Sequence, residues 1–198
     1  MNNSDYSVVM PFFNEENTLE SAVTNLINEN FASEIILVND GSSDKSNEIA
    51  SKFVTKYKFI KLIESERNMG KGYALNLGIN KSSKKYIGVL DADLEYSPND
   101  LKKLFHQIDT SNLDIVCGSR FIGDHKRENI YLRTYLANKF LSLFFSIVYK
   151  RKVTDIATCL KVFMHPANAA AWDIVFLQQY LRPNGKFVNA FAHFARGK

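Results

Sequence analysis

Apolar and polar positions alternate along this chain in short blocks of two different periods. The first run, SVVMPFF at 7–13, is broken by Pro11. It is followed by NEENTLESAVTNLINENF, in which Leu19, Ala22, Val23, Leu26 and Ile27 recur at helical spacing. Asn14 is placed to cap that helix, with acids in its first turn. EIILVND (34–40) reads as a second buried strand stopped by the turn DGSSD, and Ile49, Ala50, Phe53, Val54 and Tyr57 mark a second helix. FIKLIES (59–65) is a third strand, and GKGYALNLGINKS (70–82) a helix entered through glycines. YIGVLDA (86–92) is a fourth strand. SPNDLKKLFHQI (97–108) is a helix with Pro98 near its first turn and Leu101, Leu104, Phe105 and Ile108 on one face; LDIVCGSRF (113–121) is a fifth strand.

Strands alternating with helices over short connections predict an α/β layer fold whose sheet is parallel in its first half. Such sheets bind ligands beyond the carboxyl ends of their strands. FFNEE, NDGSSD, DADLE and GSRF each fall just past a strand end, so four polar clusters are expected on one rim. In DADLE the carboxylates Asp91, Asp93 and Glu95 occupy alternate positions. If the strand continues, all three face one way, and converging like charges call for a cation or a proton between them. Taken alone, the same residues describe an acidic surface loop.

Composition narrows the classes without naming one. The chain's 198 residues fit a single domain, and 45% hydrophobic with 23% charged residues is ordinary for a folded protein, which excludes disordered and collagen-like chains. The two cysteines, Cys117 and Cys159, have no metal or redox spacing; both are expected to be small core hydrophobes in a reducing compartment. The amino-terminal residues lack the pattern of a signal peptide, and the longest apolar stretch, FLSLFFSIVY (140–149), is about half a bilayer span. Net charge is +4, unevenly spread. From Arg120 to Lys152 eight Lys or Arg stand against two acids, a local +6 that leaves the remainder at −2. A basic segment around an aromatic stretch fits anionic headgroups or phosphate esters, and equally a solvated helix with a core stripe.

The clusters VVMPFFNEENTL (8–19), ILVNDGSSDKS (36–46), NMGKGYALNLG (68–78), VLDADLEYSP (89–98), GSRF (118–121) and VTDIATCLKVF (153–163), in this order, resemble glycosyltransferase family 2. The likeness is greatest to its dolichol-phosphate mannosyltransferase and polyprenyl-phosphate glycosyltransferase branch. It implies a GT-A fold, a three-layer αβα sandwich on a mostly parallel sheet, over residues 1–163. The remaining 164–198 form an atypical tail: a capping helix, a membrane-contacting segment, or the product of truncation or a changed reading frame. The family's acidic aromatic F-x-F-x-x-E segment is missing from it.

Residue by residue, the resemblance implies that Pro11, Phe13, Glu15 and Asp40 line a nucleotide pocket. Lys71, at a glycine-flanked helix start, would add positive charge for the donor phosphates. Asp91 and Asp93 match the D-x-D that holds Mg²⁺ or Mn²⁺ on the donor diphosphate, Asp93 directly and Asp91 through water or a ribose contact. Glu95 stands where the mannosyltransferases often carry Gln and is the third metal candidate. Arg120 and Arg133 match acceptor-phosphate positions, guanidinium being suited to bidentate phosphate recognition. Asp155, with Thr158 and Lys161, matches T-D-x-x-[TS]-G-[FY]-K, although Cys159 replaces the glycine and Leu160 the aromatic. Asp155 would be the catalytic base for a hydroxyl acceptor. Asp93, Asp155 and Arg120 are thus the expected catalytic residues of a metal-dependent inverting transferase. Its partners would be a nucleotide-diphosphate sugar, a polyprenyl phosphate or other lipid-linked acceptor, and the inner face of the cell membrane; no nucleic acid is expected. Two alternatives remain: a catalytically impaired nucleotide-sugar-binding protein, or a family 2 enzyme with a hydroxyl acceptor in surface polysaccharide synthesis.

Overall fold

Two strands with no exposed position form the centre of the sheet's parallel half. β1 (Tyr6–Phe12) and β2 (Glu34–Asn39) are buried at every position, as parallel strands covered on both sides must be. The computed structural model describes residues 5–111, 113, 115–119, 132–148, 154, 155, 158–165 and 187–189. Around the central pair lie β3 (Ile60–Glu64), β4 (Tyr86–Val89), β5 (Ile115–Cys117), β6 (Lys161–Met164) and β7 (Phe187–Asn189). The sheet order is β3-β2-β1-β4-β6-β5-β7. β1 runs parallel to β2 and β4, and β2 parallel to β3. β6 is antiparallel to both β4 and β5, whereas β7, from within 164–198, pairs parallel with β5.

The period-2 alternation of the central strands makes two cores. Val8, Met10, Ile35 and Leu37 point to one face, where α1 (Leu19–Asn28), α2 (Ser46–Lys56) and α4 (Pro98–Ser111) deliver Leu19, Val23, Ala50, Leu104 and Phe105. Val9, Ile36, Val38 and Ile87 point to the other, against Ala74 and Ile79 of α3 (Lys71–Lys81). The result is three layers. Tyr6 stacks on Phe105 with ring centroids 4.6 Å apart. Emptying the Phe105 site would cost about 3–5 kcal/mol, the usual range for a buried aromatic.

Three expectations change. First, Asn14 does not cap α1, which starts at Leu19 behind Thr18. Asn14 adopts φ 55°, a left-handed conformation that asparagine tolerates, and its Oδ1 accepts the Ser43 N–H at 2.8 Å. Second, β4 stops at Val89, so DADLE is a turn and not a strand end. Third, of the two readings of the basic segment, the core stripe fails at α5 (Leu132–Val148), whose apolar residues face outward. Asn138 and Ser142 are buried, while Leu136, Phe140, Leu141, Leu143, Phe144 and Ile147 are exposed, Phe140 by 69%.

At the amino-terminal ends of the strands sits a closed polar cluster. Glu34, 3% exposed, accepts hydrogen bonds from the Ser7 hydroxyl, Lys61 Nζ at 2.6 Å, the Ser83 N–H at 2.8 Å and the Ser83 hydroxyl at 2.9 Å. Burial alone would raise its pKa, but these donors together outweigh burial and hold the carboxyl below the usual glutamate value.

Candidate functional site

The opposite rim is built from loops that follow β1, β2, β3 and β4. The β1 loop is laced to the β2 loop: Ser42 Oγ accepts the Asn14 N–H, Ser46 Oγ the Glu15 N–H, and Asp44 the Glu16 N–H. Burial works to raise the Asp44 pKa, but hydrogen bonds from the Ser46 hydroxyl and from the Ser46, Glu16 and Asp44 N–H groups together outweigh it and hold the carboxyl below the usual aspartate value. In the β2 loop Gly41 has φ 72°, and a Cβ there would lie 2.5 Å from the Arg67 carbonyl carbon. Only glycine lets these two backbones meet. Asp40, itself 3% exposed, completes the contact: its two oxygens accept the Met69 N–H at 3.0 Å and the Gly70 N–H at 2.8 Å. Gly70, at φ 92°, then opens α3 and makes Lys71 its first residue.

Lys71 reaches across the rim. Its Nζ donates to Asp91 Oδ2 at 2.6 Å and to Cys159 Sγ at 3.1 Å. Burial works to lower the Lys71 pKa, but the Asp91 carboxylate and the Cys159 contact more than offset it, and the net shift is upward. The Cys159 thiol is pushed up by burial and by Asp91, with the Lys71 ammonium opposing. Cys117 is the buried core residue expected; Cys159 is half-buried, packed against the edge of the core while its sulfur meets Lys71. The loop that carries it turns back from β6, whose Lys161 pairs with Val89 of β4. Burial pushes the Lys161 ammonium pKa down.

A cavity of ≈ 320 Å³ opens between these loops, bordered by Pro11, Phe13, Glu15, Asp40, Lys71, Asp91 and Asp93. Six of these are the residues expected around a nucleotide sugar and Asp93 is the expected direct metal ligand; β1, β2, α3 and the β4 turn bring them together. Phe13 stands at the mouth, 42% exposed. Asn68 and Ala74 also border the cavity and were not singled out from sequence; Asn68, within RNMGKG, was the one with a polar side chain that could have marked it.

Glu95 does not border this cavity. Leu94 takes φ 63° and the Glu95 N–H donates to Asp93 Oδ1 at 2.9 Å, so the chain turns between the two acids and the strand alternation that would align them is lost. Among the described residues no group of three His, Cys, Asp or Glu is arranged to enclose a metal. Asp91 and Asp93 together supply hard oxygen donors at the open cavity, which fits a cation held by one or two carboxylates plus substrate phosphates. Asp155 is fully buried away from the cavity and accepts the Asn138 amide of α5 at 2.7 Å. Arg133 is exposed on α5. Arg120 lies outside the described residues.

Comparison with known proteins places this geometry. Residues 7–172 match the family model of glycosyl transferase family 2. The chain is similar to the cholesterol galactosyltransferase of Borreliella burgdorferi, 36% identical over 117 residues, covering 59% of this chain and 32% of that protein. It is also similar to the dolichyl-phosphate beta-glucosyltransferase of Dictyostelium discoideum, 35% identical over 128 residues, 58% of this chain and 39% of that one. The chain therefore spans under half the length of these two relatives. Among solved structures, glucosyl-3-phosphoglycerate synthase from Mycobacterium tuberculosis, in complex with Mn²⁺, UDP and phosphoglyceric acid, superposes with a TM-score of 0.69 at 16% identity. The match covers 98% of this chain and 72% of that one. The likeness is one of fold, and with the family match it identifies the three layers as GT-A: the chain belongs to glycosyl transferase family 2.

Proposed function

We propose that the chain is the donor-binding and catalytic domain of an inverting glycosyltransferase that takes a sugar from a nucleotide-diphosphate donor to a polyprenyl phosphate or another membrane-associated acceptor. The observation that carries this reading is the convergence of Pro11, Phe13, Glu15, Asp40, Lys71, Asp91 and Asp93 on one cavity at the strands' carboxyl ends. In this reading Phe13 and Pro11 supply apolar contact to the base, and Glu15 accepts from its N–H groups or from ribose hydroxyls. Asp40 fixes the 69–70 backbone, and Asp91 with Asp93 seats Mg²⁺ or Mn²⁺. The cation would neutralise charge developing on the departing diphosphate.

Two features favour a phosphate acceptor over a hydroxyl. Asp155, the candidate base, is fully buried and bonded to Asn138, a position suited to holding its loop against α5. A phosphate monoester, with a second pKa near ~6, is already an anion at neutral pH and needs placement more than deprotonation. The exposed face of α5 supports a membrane surface as partner: Leu136, Phe140, Phe144 and Ile147 recur at helical spacing with exposed Arg133 and Lys139 beside them. No described helix is long and apolar enough to cross a membrane. Arg120 and Arg133 are the residues proposed for the acceptor phosphate, and the peripheral inner face of the cell membrane is the proposed location.

Radiolabelled sugar transfer from a nucleotide-sugar panel to membrane lipid, with and without EDTA, tests the reading. Transfer that EDTA abolishes is expected. Mn²⁺-dependent nucleotide binding without transfer from any donor would instead mark a binding protein on this fold.

A further inference from the structure

We propose that Lys71 is an exchangeable counter-ion of the cation seat: its ammonium stands beside Asp91 in the free protein and gives that carboxylate up when a divalent cation arrives together with a nucleoside diphosphate. The proposal rests on the donor site described above and assigns Lys71 a second task there.

The geometry is a competition for one carboxylate. Lys71 Nζ lies 2.6 Å from Asp91 Oδ2, and the Asp91 side chain is only 12% exposed. A cation drawing on Asp91 would meet a positive charge already in contact with it. The Lys71 side chain, by contrast, is 47% exposed on a flexible four-carbon stem, and ion pairs this open are weak, roughly a few-fold in equilibrium terms. Its backbone is pinned: Asp40 fixes the Met69 and Gly70 N–H groups, and Gly70 starts the helix. Exchange therefore needs only a swing of the side chain. A diphosphate in the cavity supplies the anionic oxygens that the displaced ammonium requires, so cation and nucleotide each favour entry of the other. Cys159 tunes the exchange. Its sulfur accepts a second hydrogen bond from Nζ at 3.1 Å, where the family's motif has a glycine that offers no side chain.

Mn²⁺ binding to the full chain, followed by electron paramagnetic resonance without nucleotide and at saturating UDP, tests this. Lys71→Met is expected to bind Mn²⁺ alone roughly three- to fivefold more tightly, the competing ion pair having been removed. UDP should then enhance its Mn²⁺ affinity less than in the wild type. Cys159→Gly, which keeps the ammonium but loosens it, should move Mn²⁺ affinity in the same direction by roughly twofold. Unchanged or weaker Mn²⁺ binding in both variants would overturn the proposal. Asp93→Ala separates it from the reading beneath it. Undiminished Mn²⁺ binding in that variant would defeat the cation seat itself, whereas loss there with no gain in Lys71→Met would defeat the counter-ion role alone.

Discussion

The two ends of the sheet use carboxylates in opposite ways. At the amino-terminal end Glu34 is closed off, with donors from β1, β3 and the segment after α3 meeting both its oxygens. At the carboxyl end Asp91 and Asp93 border an open cavity, Asp93 exposed and Asp91 held by one half-exposed lysine. A buried carboxylate must be fully hydrogen-bonded to be tolerated. One that is to receive a ligand must keep oxygens accessible and rely on partners that can leave. The same residue type is thus structural at one end and chemical at the other, and Asp40 lies between: buried like Glu34, but on the cavity.

Substitution can break this contrast from either side. The largest effect is expected from Asp93→Ala, which should lower sugar transfer by about 10²–10³-fold and leave urea-unfolding stability within about 0.5 kcal/mol. A comparable loss of stability would show that Asp93 is structural. Glu34→Gln should do the reverse, costing about 1–3 kcal/mol in the same unfolding experiment with UDP affinity intact. Its pH dependence has a definite sign. The Glu34 pKa is lowered in the fold, so its contribution is complete above the ordinary glutamate value of 4.5 and disappears as pH falls through the lowered folded value. The wild type and Glu34→Gln should therefore converge in stability under acid. The smallest and most informative change is Asp40→Asn, which keeps one acceptor for the 69–70 backbone and turns an amide toward the other N–H. It is expected to lose about 1 kcal/mol in thermal melts and roughly fivefold in UDP affinity by calorimetry, touching both properties at once.

Much of this was legible in the sequence because the signals were local. Apolar runs at 7–13 and 34–40 mark strands buried on both faces, the first continuing through Pro11 to Phe12, and the 3.6-residue spacing of Leu101, Leu104, Phe105 and Ile108 marks α4. Pro11 near the end of β1 and the clusters after β1, β2, β3 and β4 together hold seven of the cavity's residues. Glu95 was misplaced because alternation has meaning only while the strand lasts, and the Asp93 side chain competes with the ladder by bonding the backbone two residues on. The second contact of Cys159 escapes the sequence for another reason: its hydrogen bond from Lys71 spans 88 positions, and nothing local records it. For α5 charge and composition left two readings open, and the choice depends on Asn138 and Ser142 turning inward, Asn138 to meet Asp155.

The clamp between Asp40 and residues 69–70 has a consequence for how the molecule comes into being. Its hydrogen bonds join positions 29 and 30 apart, across the crossover helix α2 and the pairing of β3 with β2. Contacts of such sequence separation carry a loop-closure cost that is recovered only when intervening elements are already docked. The cavity is therefore a late product of folding, and the capacity to bind nucleotide reports that β1, β2, β3 and α3 have all found their register.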